Sequence, residues 1–576
     1  MQPPLHRVKP CGAGLAVALS CVAAGCGTTA GEPADLVLRG GQVYTVDAAR
    51  SWAQAVAIDG GRIVYVGSDS GASARIGPET FTIELAGRMV LPGFHDSHVH
   101  PVTSGVELGE CELTDFGTRR EIAAAVARCA ASLPAEAWLR GSGWDLPLFP
   151  RANPPKSLLD SVAPDHPAYL TAADGHSAWV NSRALAAAGI SRDTPDPPNG
   201  RIERDPAGEP SGTLREDAMG LVESHLPAYT LEDRVGGLER SLALARRFGI
   251  TSLYEANGTE PVLRAYAELE RRGGLTTRVT AAMAVDPSAG PDGLAVLDEW
   301  RSQYRSGRIR PIAAKIFVDG VIEAGTAALL EPYLDGDGDR GRPNVTPDSL
   351  ATLVAAIHRR GLAAHLHAIG DRAVRMSLDA IAQSRTAGGI TDTRDIMVHI
   401  QLIDPEDIPR FRMLGVIAGF QPLWAFADTY ITELTVPRLG PERSRWLYPI
   451  ASVVRTGAVV AAGSDWSVSS MNPLDAMQVA VTRRDPDDGP GQAWIPEEVL
   501  DLPTIIAAYT MGGAYAARQE HVTGSIEVGK AADLIVLGRN VFDVPVGEIH
   551  AVEVVLTMVE GEVVFEVEGW QTGGDR

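Results

Sequence analysis

Residues 90–101 read VLPGFHDSHVHP, an apolar run followed by two histidines two positions apart. The run RMVLPGF, Arg88 to Phe94, has the length and apolar character of a buried strand. In extended chain, residues i and i+2 point to the same side. His98 and His100 therefore present both imidazoles to one point beyond that strand. Two neutral imidazoles so placed grip a divalent ion, zinc being the commonest. An H-x-H triplet is weak by itself, because it arises often by chance. Its meaning depends on what surrounds it.

Outward from that stretch, short apolar runs alternate with longer Ala- and Arg-rich helical segments. The further strand-like runs are ITSLYEA, RVTAAMAV, IAAKIFV, LAAHLH, DIMVHI, GVIAGF and AVVAAGS. With RMVLPGF they predict an α/β fold, a (β/α)8 barrel of TIM type over residues 89–510. Chemistry in such a barrel gathers at the C-terminal ends of the strands. The stretch between the first and second runs, about residues 101–249, is far longer than an ordinary loop. It predicts a subdomain inserted after strand 1 and covering the barrel mouth.

The two ends of the chain have a different grammar. ADLVLRGGQVYTVD and AVAIDGGRIVYVG alternate apolar and polar residues around Gly-Gly turns, as hairpins do. GSIEVGKAADLIVLG and AVEVVLTMVEGEVVFE read alike. Residues 35–88 and 511–570 thus predict one β-sandwich-like domain built from both termini, with a tail at 571–576.

The 576 residues are 45% hydrophobic and 22% charged, as in a folded globular protein. A formal charge of −22 argues against nucleic acid as a partner, since phosphate binding needs a basic face. Residues 1–26 stand apart: HRVKP is basic, GAGLAVALSCVAA apolar, and AAGC ends in Cys26. This is the pattern of a secretion signal, too short to span a bilayer. The ending resembles a bacterial lipobox, which makes Cys26 the lipidated new N-terminus before a linker at 27–34. The expectation is an exported protein held to a membrane only by that anchor. Cys111 and Cys129 then remain, either paired or as buried thiols.

Lys315 is the odd residue of the barrel. The chain holds 51 Lys and Arg, yet the lysines are only Lys9, Lys156, Lys315 and Lys530. An ammonium inside the apolar run IAAKIFV is costly without a partner. His367 ends the fifth run, His399 ends the sixth, and Asp465 follows the eighth. Imidazole and carboxylate are the side chains a borderline metal accepts. Their convergence from separate strands is far less expected by chance than any pair.

VLPGFHDSHVH, KIFVDGVIEAGTAALLEPY, HAIGDRAV and AAGSDW together resemble the amidohydrolase superfamily, specifically its YtcJ-like, amidohydrolase-3 branch. DGHSAWVNSRAL and GEPSGTLRE, in the insert, match that branch too. The resemblance implies two divalent ions, zinc first, with manganese or iron also suited. It implies that His98 and His100 hold the more buried ion and that His367 and His399 hold the second. Lys315 matches a bridging lysine carboxylated to a carbamate, and Asp465 a ligand that shuttles protons. Where the family reads EHAQ this chain reads VHIQ around His399, which changes the pocket wall and not the ligand. His365 is taken as barrel interior.

Other residues stay open. His176 either binds substrate and steadies the intermediate or fixes insert packing. Trp144 is core or pocket wall. Asp319 and Glu323 either orient ligands or cap a turn, with Asp319 and Gln421 also candidate substrate contacts. The implied activity is hydrolysis of a C–N bond in a small amide or N-acyl molecule. A cyclic imide, lactam, carbamate or ester is the alternative substrate. A catalytically inactive ligand-binding lipoprotein is the alternative of another class.

Overall fold

The computed structural model describes residues 32–114, 116–389, 392–487 and 491–570. The signal and Cys26 lipidation at residues 1–26 lie outside the described residues, as does the tail at 571–576.

Eight strands form one sheet in sequence order. They are β1 (Phe94–Val99), β2 (Ile250–Gly258), β3 (Arg278–Ala284), β4 (Ile309–Phe317), β5 (Ala363–Ala368), β6 (Ile396–His399), β7 (Ile417–Phe420) and β8 (Val460–Ala462). Every pairing between neighbours is parallel. The ring closes just beyond β8, where the Asp465 N–H donates to the His98 carbonyl at 2.8 Å and the His100 N–H to the Trp466 carbonyl at 3.2 Å. Asp96 staples the same seam, accepting from the Ser464 N–H at 3.0 Å and the His98 N–H at 3.2 Å. This is a TIM barrel.

Its outer helices form where sequence supplies both a cap and an apolar stripe. Thr346 caps Pro347–Arg359, with proline in the first turn and Leu350, Leu353, Val354 and Ile357 buried. Thr230 and Asp233 make a reciprocal capping box for Leu231–Arg247, and Arg246 and Arg247 sit in its last turn, where the helix dipole favours cations.

RMVLPGF is not the first barrel strand. Met89–Pro92 pairs antiparallel with Leu534–Leu537 and parallel with Gln42–Tyr44, in a sheet drawn from both termini. Gly93 makes the crossing into the barrel: a Cβ there would meet Thr251 at 2.3 Å. The true first strand, FHDSHV, is polar in sequence yet buried at all six positions. Apolar periodicity finds strands whose buried partners are hydrocarbon, whereas this strand's polar side chains meet other polar groups, Asp96 meeting Ser464 and His98 meeting His365.

The terminal sheet packs against a four-stranded sheet of Leu36–Arg39, Ala55–Asp59, Arg62–Gly67 and Phe81–Glu84. Leu38, Val56, Val90, Leu534 and Leu556 share one core between them. Arg278, at the start of β3, reaches Asp533 of the terminal sheet at 2.7 Å, and both are buried. A buried pair of this kind fixes how the two parts sit, because breaking it strands a charge. The barrel itself runs past residue 510: helical chain from Leu502 continues to Ala516, and Gly513 lies against His95 of β1.

The insert proper is a six-stranded sheet spanning Cys111 to Glu216. It carries its own aromatic core of Trp144, Phe149 and Trp179. Cys111 and Cys129 are joined as a disulfide with Cα atoms 5.8 Å apart, tying its edge strand to the helix Arg119–Ser132. No described helix is long and apolar enough to cross a membrane.

Candidate metal centre and substrate cavity

The residues that converge do so because each stands at or beyond a C-terminal strand end. His98 is the fifth residue of β1, and its ring centroid is 5.5 Å from that of His100. His367 and His399, on β5 and β6, have centroids 4.5 Å apart, and His98 is 4.8 Å from His399. Asp465 Oδ1 lies 3.3 Å from His98 Nε2 and 3.2 Å from His100 Nε2. Asp465 Oδ2 is 3.8 Å from His399 Nδ1. His399 and Asp465 both have positive φ, 76° and 53°. Non-glycine residues rarely adopt that conformation, and it turns both side chains inward where the strands end.

Several donor atoms here are buried without a hydrogen-bond partner: His98 Nε2, Lys315 Nζ and Asp465 Oδ1. Orphaned buried polar atoms are costly, and here they belong to residues that line one cavity. That is the signature expected of a set built around cations, and nitrogen and carboxylate donors suit zinc and its neighbours. His98, His100 and Asp465 offer ligand atoms within 4.8 Å of one another. The residues present fit a divalent metal.

Charge states agree for three of the four imidazoles. Burial keeps the imidazoles of His98 and His367 well below their usual range and lowers His399 to about 3, so all three rings are neutral, the form that can bind a metal. Burial would raise Asp465, but His98, His100 and His399 around it hold it well below the carboxylate range. Burial also opposes charge on His100, yet Asp465 and Glu255 outweigh it and raise the ring to about 9. Lys315 is 1% exposed. Its burial lowers the amine to about 7, against the pull of Asp465 and Glu255.

Around these residues lies a second layer that orients them. Gln421 Oε1 is 2.9 Å from His399 Nδ1, and His365 Nε2 is 2.8 Å from His98 Nδ1. A neighbour on the other ring nitrogen fixes which nitrogen faces the metal. Asp319 accepts the backbone N–H groups of Ala328, Ile369 and Gly370 and stands 3.5 Å from His367 Nδ1. Neither Gln421 nor Asp319 lines the cavities, so both position other groups and are not substrate contacts. Trp144 is not one either: it is fully buried in the insert, its indole N–H donating to the Leu170 carbonyl at 2.9 Å.

His176 does reach the site. It comes from the insert, its ring centroid is 5.3 Å from His367, and it lines both a cavity of about 270 Å³ around the ligands and one of about 500 Å³ leading away. Two partners escaped the sequence reading. Glu216 holds His176 Nδ1, and Trp424 stacks on His399 at 5.6 Å with planes 8° apart. Glu216 ends the quoted stretch GEPSGTLRE, which was the available signal; Trp424 had none.

A model of the amidohydrolase family matches residues 82–565. Protein LONG AFTER FAR-RED 3 of Arabidopsis thaliana is 31% identical, covering 93% of this chain and 92% of its own. YtcJ of Bacillus subtilis is 30% identical over 92% and 99%. An N-substituted formamide deformylase of Arthrobacter pascens is 28% identical over 93% and 99%. Among solved structures, an uncharacterized metal-dependent hydrolase of Pyrococcus horikoshii has a TM-score of 0.71 at 24% identity, covering 89% of this chain and 99% of its own. With barrel, ligand set and sequence match in agreement, the chain belongs to the amidohydrolase family.

Proposed function

We propose that this protein is a metal-dependent hydrolase that cleaves the C–N bond of a small amide or N-acyl substrate. The observation that carries it is the set of partnerless buried donors on His98, Lys315 and Asp465 around one cavity that His100, His367 and His399 also line. His98, His100 and Asp465 would hold one ion, and His367 and His399 a second. Lys315 would bridge them as a carbamate. Only an unprotonated amine adds to carbon dioxide, and burial leaves Lys315 readily deprotonated near neutral pH. When bound, the ions supply Lewis acidity and bring the pKa of water from ~15.7 toward ~7.

The chain's own groups do the rest. Asp465 accepts the proton of the attacking water as oxygen bonds to the scissile carbonyl carbon. It then delivers that proton to the leaving nitrogen as the C–N bond breaks, giving an acid and an amine. His176, with Nδ1 held by Glu216, presents Nε2 to the cavity and hydrogen-bonds the substrate carbonyl oxygen. The formamide deformylase relative supports a compact acyl group on the substrate. The test is metal analysis followed by turnover on N-formyl and N-acyl amines, lactams and esters. Two bound ions with amide cleavage are expected; a metal-replete protein that cleaves no amide overturns the assignment.

We further propose that the chain is exported and anchored through a lipid on Cys26. The disulfide between Cys111 and Cys129 supports an oxidising compartment. Mass spectrometry of the mature N-terminus tests this, and an unmodified, unprocessed terminus would refute it.

A further inference from the structure

The cavity of about 500 Å³ carries more carboxylates than cationic groups among its described lining residues, and its raised imidazole, His176, is already held by Glu216. It shares His176, His367, His399 and Asp465 with the space around the ligands. No lysine or arginine is among the described residues that line it. Carboxylates recur there instead: Glu323, Asp174, Asp428, Asp475 and Asp487. Trp424, Phe426, Tyr430 and Tyr448 make an aromatic wall.

Acidic residues at a rim mean little, because solvated carboxylates need no partner. Glu323 differs, being only 7% exposed. Both hydrogen bonds described for its carboxylate end on Oε1, from Gln401 Nε2 at 2.7 Å and from Thr435 Oγ1. That clamp leaves Oε2 without a described donor, on a side chain that lines the cavity. Arg438, which approaches Gly325 two residues on, pairs with Asp335. Among the described residues, Glu323 has no ion-pair partner. A cation reaching Oε2 from the cavity would gain a charge-assisted hydrogen bond to a carboxylate already held in place.

The position relative to the chemistry is set by Gln401. It stands two residues beyond His399, and its side chain touches Glu323. From His399 the aromatic wall begins with stacked Trp424 and continues to Tyr448, 6.4 Å further. Ring faces attract cations, and a cleft of one charge sign repels ions of the same sign.

We propose that this cavity selects amides whose portion remote from the scissile bond is aromatic and carries an ammonium group, with Glu323 as the partner of that ammonium. Amides bearing a carboxylate at the same place are rejected. The inference rests on the hydrolase assignment above and specifies its substrate class.

Three matched probes test it: N-formylbenzylamines with a para aminomethyl, hydroxymethyl or carboxylate group. Binding is read by calorimetry on the metal-loaded full chain carrying Asp465→Asn, so that affinity is measured without cleavage. The aminomethyl probe should bind at least about tenfold more tightly than the hydroxymethyl probe, the range for a hydrogen bond to a charged group. The carboxylate probe should bind more weakly still. Adding Glu323→Gln keeps an oxygen for Gln401 and Thr435 and removes the charge; it should bring the first two probes within about twofold. Equal binding of the three, a preference that survives Glu323→Gln, or no binding at all overturns the proposal. Cleavage of the same probes by the unsubstituted enzyme is the separate arm. If the binding order holds and none is cleaved, the hydrolase assignment falls and the selectivity stands.

Discussion

His176 Nδ1 lies 2.8 Å from Glu216 Oε2, and Glu216 Oε1 in turn accepts from Thr326 Oγ1 at 2.6 Å. His176 precedes the insert strand Ser177–Val180, Glu216 ends the insert strand Pro210–Glu216, and Thr326 follows β4 of the barrel. One carboxylate thus holds His176 beside His367 and ties the insert to the barrel. Burial disfavours the charged ring, but Glu216 beside it outweighs that and raises His176 to about 9. Glu216→Gln removes this support, so the ring's pKa should fall and the alkaline limb of kcat should move down from near 9. A kcat loss of about ten- to hundredfold, with KM less affected, is the expected size for an orienting partner. A pH profile unmoved in the variant would leave Glu216 a structural tie only.

In the proposed mechanism Asp465 combines metal contact and proton transfer, and the two separate by substitution. Asp465→Asn keeps an oxygen near His98 and His100, and asparagine tolerates the left-handed backbone at φ 53°. Metal content should persist while turnover falls at least about 10²-fold. Metal analysis beside single-turnover kinetics reads both. Turnover near that of the parent would remove Asp465 from the proton-transfer role.

The disulfide between Cys111 and Cys129 closes a separation of 18 residues. A loop of that size restricts the unfolded chain by about 3 kcal/mol. Replacing both cysteines with serine should therefore destabilise the insert by about that amount in urea titration. Reducing the parent protein should have the same effect. Equal midpoints for the parent, the reduced protein and the double variant would show that the bond adds nothing.

The sequence made legible what hydrocarbon encodes. IAAKIFV and LAAHLH are largely buried apolar runs, so Lys315 stands out as the polar residue of the first and His365 and His367 as those of the second. FHDSHV was hidden for the opposite reason: its burial is supported by Asp96 bonding to Ser464 and by ligands facing each other. Trp144 shows a different limit. Its buried indole packs on Phe149 and Trp179, and an aromatic in an inserted sheet gives no sign of facing core or cavity. Glu216 and His176 lie 40 residues apart, and only the fold of the insert makes them neighbours.

Lys315 and His100 titrate in opposite senses in the metal-free protein, which makes their environment testable without any substrate. Burial lowers Lys315 from 10.5 to about 7, so between those values the unfolded chain holds a proton that the folded chain lacks. Stability therefore rises with pH across that window. For His100, burial is outweighed by Asp465 and Glu255, and the ring moves up from 6.5 to about 9. The folded chain holds the extra proton there, so this contribution is full below 6.5 and is lost as pH rises through 9. Each slope approaches about 1.4 kcal/mol per pH unit, and between pH 7 and 9 they oppose each other. Lys315→Met should unmask the His100 term, so its melting temperature falls from pH 7 to 9. His100→Asn should leave the lysine term, and its melting temperature should rise over the same range. Parallel profiles in the two metal-free variants would show that Lys315 is not held as a neutral amine, and the carbamate assignment would lose its physical basis.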